Sequence, residues 1–349
     1  MALVKPDVGR FAKIKVLGIG GGGGNALNTM ITENQIQGVD FIALNTDAQA
    51  LLANLAPVKF QLGENLTRGL GVGGDPELGR QAAEESREKI AQHLVDTDMV
   101  FITCGMGGGT GTGSTPIIAE IAREQGALTV AVVTKPFAFE GTRRMVVAEE
   151  GLENLTGKVD ALIVIPNQKL LDSIDKKMTL LEAFRVADSV LGQGVQGISD
   201  IITLPGLINR DFADIKAIMA DSGPALMGIG YSTGEERAME AARTAINSPL
   251  LDISIDGARG VLFCVSGGED LAMAEINDAA KVITDSINPE AKVIFGAVMD
   301  DRLKKGEVKV TVIATGFNES DIAHKEKGES GEEGKEQSTH FYKDQQKKE

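Results

Sequence analysis

The chain is poor in cysteine, in positive charge and in long apolar runs, and each shortage removes a class of function. It has two cysteines in 349 residues, Cys104 and Cys264. Neither belongs to a CxxC pair, so neither a zinc site nor a disulfide framework is expected. Each lies in an apolar run (residues 100–104 and 261–265), the setting of a small buried hydrophobe in a reducing compartment. Lysine and arginine number 35 against 50 acidic residues, a formal net charge of −15. A nucleic-acid surface needs a basic footprint, and docking on an anionic membrane needs basic segments, so this balance argues against both. No stretch approaches about 18 uninterrupted apolar residues, so no membrane-spanning helix is expected. Residues 1–13 mix Lys, Asp and Arg without an apolar segment and do not read as a secretory signal. A cytosolic protein of roughly two domains is expected.

What the chain does have is glycine, 42 residues gathered in a few runs. Around them the first half alternates short, nearly continuous apolar runs (residues 14–19, 41–45, 99–104, 128–134 and 161–165) with helical stretches (25–31, 76–94, 115–124 and 141–155). Strands buried on both faces look like this, and βαβ alternation predicts an α/β, doubly wound parallel sheet. Pro76 and Pro116 suit first helical turns. Thr179 and Glu182 form a capping box ahead of Leu180, Phe184, Ala187, Leu191 and Val195 at helical spacing, so a long linking helix is expected there. Beyond residue 202, helices (212–220, 235–246, 271–286) and strands (225–231, 260–266, 292–299, 308–315) predict a smaller α+β domain. Its end reads as antiparallel, with Lys304-Lys305-Gly306 as a hairpin turn. Residues 318–349 carry few apolar side chains and read as a disordered tail. The expected division is an extension (1–12), a nucleotide-binding domain (13–177), a central helix (178–202), a C-terminal domain (203–317) and the tail.

Two glycine runs sit between a strand and a helix. Gly18, Gly20 and Gly23 match GxGxxG, and Asp47 after the next strand offers an acid for a ribose, so a dinucleotide site is one reading. The second run is Gly105-Met106-Gly107-Gly108-Gly109-Thr110-Gly111-Thr112-Gly113. Its missing side chains let successive N–H groups point into one concavity, and Thr110 and Thr112 add hydroxyls. The two turns would converge at the carboxyl ends of the strands, and the dinucleotide reading leaves the second unexplained. A Walker loop is excluded, because Gly157-Lys158 is followed by Val159 and Gly151 is out of register. Asp211 and Asp214 read on their own as a cap and a first-turn acid of a short helix.

Residues 107–113, Gly-Gly-Gly-Thr-Gly-Thr-Gly, resemble the signature of the tubulin/FtsZ superfamily. Gly20 to Asn25, Asn45-Thr46-Asp47, Gly69-Leu70-Gly71, Pro136-Phe137, Phe139-Glu140-Gly141, Ala183-Phe184-Arg185, Gln196 to Asp200 and Asn209 to Asp214 extend the resemblance to its FtsZ branch, over about residues 13–317. The resemblance implies a GTPase that polymerises head to tail and builds the cell-division ring at mid-cell, with GTP/GDP and Mg²⁺ as its ligands. It places Gly21, Gly22, Gly23, Gly24 and Asn25 against the nucleotide, and Gly71, Val72, Gly73 and Gly74 by the γ-phosphate. Gly105, Gly107, Gly108, Gly109, Thr110, Gly111 and Thr112 would wrap the phosphates. Thr134, Pro136, Glu140 and Arg144 would lie near ribose and phosphates, and Asn167, Phe184 and Asp188 would form the guanine pocket. It also implies that Asn209, Asp211 and Asp214 enter the next subunit's site, where the acids orient and polarise the attacking water, with Mg²⁺ bridging the β- and γ-phosphates. Three features depart from the pattern. Arg210 replaces an apolar residue, Asp75 replaces an Asn, and Phe341-Tyr342-Lys343 is a poor match for the tail peptide that binds division-protein adaptors.

Overall fold

A computed structural model describes residues 12–172, 178–203, 211–248, 255–300 and 302–317. The expected tail, most of the N-terminal extension, Asn209 and Arg210 lie outside the described residues. In chain order the elements are β1 (Ile14–Ile19), α1 (Gly20–Thr29), β2 (Val39–Asn45), α2 (Ala48–Ala53), β3 (Val58–Gln61), α3 (Glu64–Thr67), α4 (Pro76–Glu85), α5 (Arg87–Leu94), β4 (Met99–Gly105), α6 (Thr110–Glu124), β5 (Leu128–Lys135), α7 (Thr142–Leu155), β6 (Ala161–Pro166) and α8 (Asn167–Asp172). The central helix α9 (Leu180–Thr203) follows, then α10 (Phe212–Met219), β7 (Gly223–Thr233), α11 (Arg237–Ile246), β8 (Gly260–Gly267), α12 (Met273–Thr284), β9 (Lys292–Met299) and β10 (Glu307–Thr315).

One ten-stranded sheet runs in the order β3-β2-β1-β4-β5-β6-β7-β10-β8-β9. The first six strands are parallel. The four inner strands among them, β1, β4, β5 and β6, are apolar on both faces because helices cover both. Ala26, Leu27, Leu191, Val195, Ile215 and Ile218 join the core on one face, and Ala82, Ala83, Ile117, Ile118 and Ala148 on the other. The first core runs on past Met227, Cys264 and Ile313, so α9 packs against both halves of the sheet. In β8, Val261, Phe263 and Val265 turn instead to a third core under α11 and α12. Both cysteines are buried and free, and burial pushes their thiols up to about 12 (Cys104) and about 11 (Cys264).

Several local expectations are corrected. The first glycine run is not a loop: α1 starts at Gly20, directly after β1. The stretch 76–94 breaks at Ser86, whose Oγ accepts from the Gly63 N–H at 3.0 Å. Pro116 sits inside α6, because that helix starts at Thr110. The short edge strand β3 had too little apolar signal to register in the sequence. The residues 304–306 do not close a hairpin: β10 pairs with β7 and β8, and β9 pairs in parallel with β8 on its far side. A turn sequence fixes a local reversal, whereas strand neighbours are fixed by which apolar faces meet.

Candidate functional site

The carboxyl ends of β1, β4, β5 and β6 lie at one edge of the sheet, and α1 and α6 begin there. The first N–H groups of a helix lack internal partners, and Asp, Asn, Ser or Thr caps normally satisfy some of them. Helices α2 and α4 follow this rule: Asp47 accepts from the Gln49 and Ala50 N–H groups, and Asp75 from the Glu77 N–H. Helices α1 and α6 do not, for their caps are Ile19 and Gly109, which offer no side-chain bond. Two bare N-termini meet here, a Cβ on Gly20 falling 3.0 Å from Gly111 N. Such paired positive ends form an anion site. Asp47, a ribose acid in the dinucleotide reading, is instead occupied as a cap.

The glycines divide by purpose. A Cβ on Gly113 would fall 1.9 Å from the Pro76 carbonyl, one on Gly109 2.8 Å from Asp75 N, and one on Gly111 2.9 Å from the Gly105 carbonyl. Gly23 would meet the Thr103 carbonyl at 2.4 Å. These four allow backbones to pack. Gly107 has φ +93° and lies against Arg144. Gly21, Gly73, Gly74 and Gly108 face open space, so theirs is the room a ligand could fill. Of the two threonines, Thr112 accepts the Gly107 N–H at 2.8 Å, and the Thr110 hydroxyl lies 2.7 Å from that of Thr46.

A cavity of about 220 Å³ opens beside these turns. It gathers Gly22, Asn25, Gly105, Thr134, Pro136, Glu140, Arg144, Asn167, Phe184 and Asp188, residues spread over six elements and their connections. Sequence reasoning missed Met106, Ala187 and Leu191 in its wall; Ala187 and Leu191 share the Phe184 face of α9, a spacing visible in the sequence. Glu140 pairs with Arg144 at 3.2 Å and also accepts the Phe137 N–H at 2.9 Å. Phe184 is 38% exposed, edge-on to Phe137 and Phe139, so it is a wall and not a core side chain. Asn167 is 4% exposed, and its buried Oδ1 has no hydrogen-bond partner. Burial first, and the Glu33 carboxylate second, push Asp188 up to about 7. An orphaned carbonyl oxygen and an acid short of donors suit a base edge rich in N–H groups, and guanine offers adjacent donors where adenine does not.

Asp211 and Asp214 lie elsewhere. Phe212 and Lys216 of α10 line a separate cavity of about 250 Å³ with Lys13, Asp98, Gln125 and Gly126, which precede β1, β4 and β5. Helix α10 therefore sits at the amino ends of the strands. A strand of seven residues spans about 23 Å, so these acids are a strand's length from the glycine turns of their own chain. Asp211 is exposed and gives its helix no side-chain capping bond, unlike Asp47 and Asp75. Among the described residues no group of three or more His, Cys, Asp or Glu could hold a metal ion. No helix of the described residues is long and apolar enough to cross a membrane.

The model of the Tubulin/FtsZ family GTPase domain matches residues 13–175, and that of the FtsZ family C-terminal domain residues 223–318. Among solved structures, an FtsZ dimer from M. jannaschii is 50% identical, with 87% of this chain and 88% of that chain covered and a TM-score of 0.84. A point mutant of M. jannaschii FtsZ gives the same identity and TM-score over 88% and 92%. CetZ2 from Haloferax volcanii, described as a GTPγS-bound protofilament, is 19% identical over 89% and 96%, with a TM-score of 0.73, which shows a shared fold.

Proposed function

Because the chain belongs to the tubulin/FtsZ family of GTPases, we propose that it polymerises head to tail and cleaves GTP at sites shared between neighbouring subunits. The filaments would form the division ring at mid-cell in the cytoplasm. The observation that carries this reading is the separation just described: two uncapped helix N-termini at one end of the sheet, and Asp211 and Asp214 at the other. One chain cannot bring them together, whereas a second copy stacked end to end can. A solved FtsZ dimer and a CetZ2 protofilament support self-association in relatives.

Each group then has a task. Guanine enters beside Phe184, donating to Asp188 and Asn167. The N–H groups of α1 and α6 take the phosphates, with Gly108 and Gly73-Gly74 leaving room. Arg144, paired with Glu140, sits at the same wall as a cation for the phosphate chain. Asp211 and Asp214 of the next copy hold and polarise the water that attacks the γ-phosphorus. Phosphoryl transfer demands mainly such positioning and charge balance. Mg²⁺, when bound, would neutralise β- and γ-phosphate charge; with Asp47 and Asp75 committed as caps, phosphate oxygens fit it better than an acid cage.

The test is GTP turnover across protein concentrations, with Asp211→Ala alongside. Turnover per molecule is expected to be negligible below a threshold and then to rise steeply. The variant is expected to lose about a hundredfold, the order of a general-base contribution, while retaining nucleotide binding. Turnover that stays flat on dilution would sink the shared site.

A further inference from the structure

Thr46 is a fully buried residue whose hydroxyl touches the second glycine turn. It directly follows β2, is 0% exposed, and places its Oγ1 2.7 Å from that of Thr110, the first residue of α6. Among the described residues Thr110 is the sole hydrogen-bond partner of that hydroxyl. The Thr46 carbonyl meanwhile accepts the Gly71 N–H and the Thr67 hydroxyl, both at 3.3 Å. One residue thus lies under both the α6 turn and the Gly69–Gly74 loop.

The proton inventory decides which way the hydroxyl pair points. Each threonine has one proton and can accept. If Thr110 donated to Thr46, the Thr46 proton would be buried with no acceptor, which burial penalises. If Thr46 donates, its proton is satisfied and the Thr110 oxygen accepts. The Thr110 proton, which has no acceptor among the described residues, is then available to a ligand at the uncapped start of α6. We infer that Thr46 is a positioning residue that fixes Thr110 as a hydrogen-bond donor to the nucleotide phosphates. This rests on the phosphate-cradle reading above. It gives Thr46 a role without contact to the ligand, and ties that role to the loop its carbonyl anchors.

The experiment measures the Kd of GDP and of a non-hydrolysable GTP analogue below the assembly threshold, for Thr46→Val, Thr46→Ser, Thr110→Val and the double Val variant. Thr46→Val removes the donor with little change of shape. It is expected to weaken binding about tenfold, the low end for a hydrogen bond to a charged group. Thr46→Ser restores the donor and is expected to bind within about twofold of the parent, a rescue that packing alone would not give. The double variant is expected to bind no worse than Thr110→Val. If Thr110→Val weakens binding and Thr46→Val does not, the inference falls while the cradle stands. If the Thr46→Val loss persists in full in the Thr110→Val background, Thr46 acts through something other than Thr110, and the inference also falls. If Thr110→Val binds like the parent, the cradle reading of Thr110 itself fails.

Discussion

With guanine donating to Asp188 as proposed, binding becomes a titration of that carboxyl group. Burial, reinforced by the Glu33 carboxylate, raises its pKa from 3.8 to about 7. The base edge donates, so it needs the carboxylate ionised, and the ligand-free site holds that form only above about pH 7. At pH 6 roughly one site in ten is ionised, and each further unit costs about tenfold, or 1.36 kcal/mol. The Kd for GTP is therefore expected to be nearly constant above pH 8 and about tenfold weaker at pH 6 than at pH 8. Binding at pH 6 is expected to release close to one proton, read as a dependence of calorimetric heat on the buffer's ionisation enthalpy. The stability of the ligand-free protein runs the other way. The folded state keeps this proton up to about pH 7 while the unfolded chain loses it near 3.8. The native state thus binds more protons across that window, and this group's contribution to stability falls as pH rises through it. Glu33→Gln removes the second cause and is expected to move the binding profile to lower pH. Asp188→Asn is expected to weaken binding and abolish the pH dependence. A Kd unchanged from pH 5.5 to 8, with no proton release, would refute the assignment of Asp188 to the base.

Two glycines in one motif are expected to fail differently. Gly108→Ala should leave the thermal midpoint of the ligand-free protein within a degree or two and weaken nucleotide binding, since its Cβ enters the open cradle. Gly113→Ala drives a Cβ to 1.9 Å from the Pro76 carbonyl and should destabilise the fold by about 3 kcal/mol, read by urea unfolding; equal effects on stability would refute the division. Arg302 donates to Asp200 at 3.0 Å, to Asp300 at 2.6 Å and to the Asn34 carbonyl at 3.1 Å, clamping the C-terminal half onto α9 and the turn after α1. Both carboxylates are buried and share the buried Lys309 as a second cation, so Arg302→Met should cost about 3 kcal/mol, the low end for a broken buried pair, by leaving two acids to one cation. An unfolding free energy within about 1 kcal/mol of the parent would exclude the clamp.

The parallel half was legible because burial on both faces writes itself as continuous apolar runs, as at β4 and β5. The two glycine turns were legible because glycine is costly without a reason. What the sequence could not sort was the reason: Gly113 and Gly108 look alike in the chain, yet one is dictated by the carbonyl of Pro76 and the other by open space. The same holds for aspartates. Asp47, Asp75 and Asp211 each precede a helix, but only the first two bond to it, and that depends on side-chain orientation, which leaves no mark in the order of residues.

By itself, then, the sequence determined the strand and helix alternation, the two glycine turns and the acidic pair at Asp211 and Asp214, because these follow from local periodicity and residue chemistry. Only the tertiary structure decided that β10 inserts between β7 and β8, that Asn167 is left with an orphaned oxygen beside Asp188, and that the acids stand at the opposite end of the sheet from the phosphate turns. Those are relations between residues far apart in the chain, set by which apolar faces pack together. The last of them is what makes a single copy an incomplete hydrolytic site in the proposed mechanism.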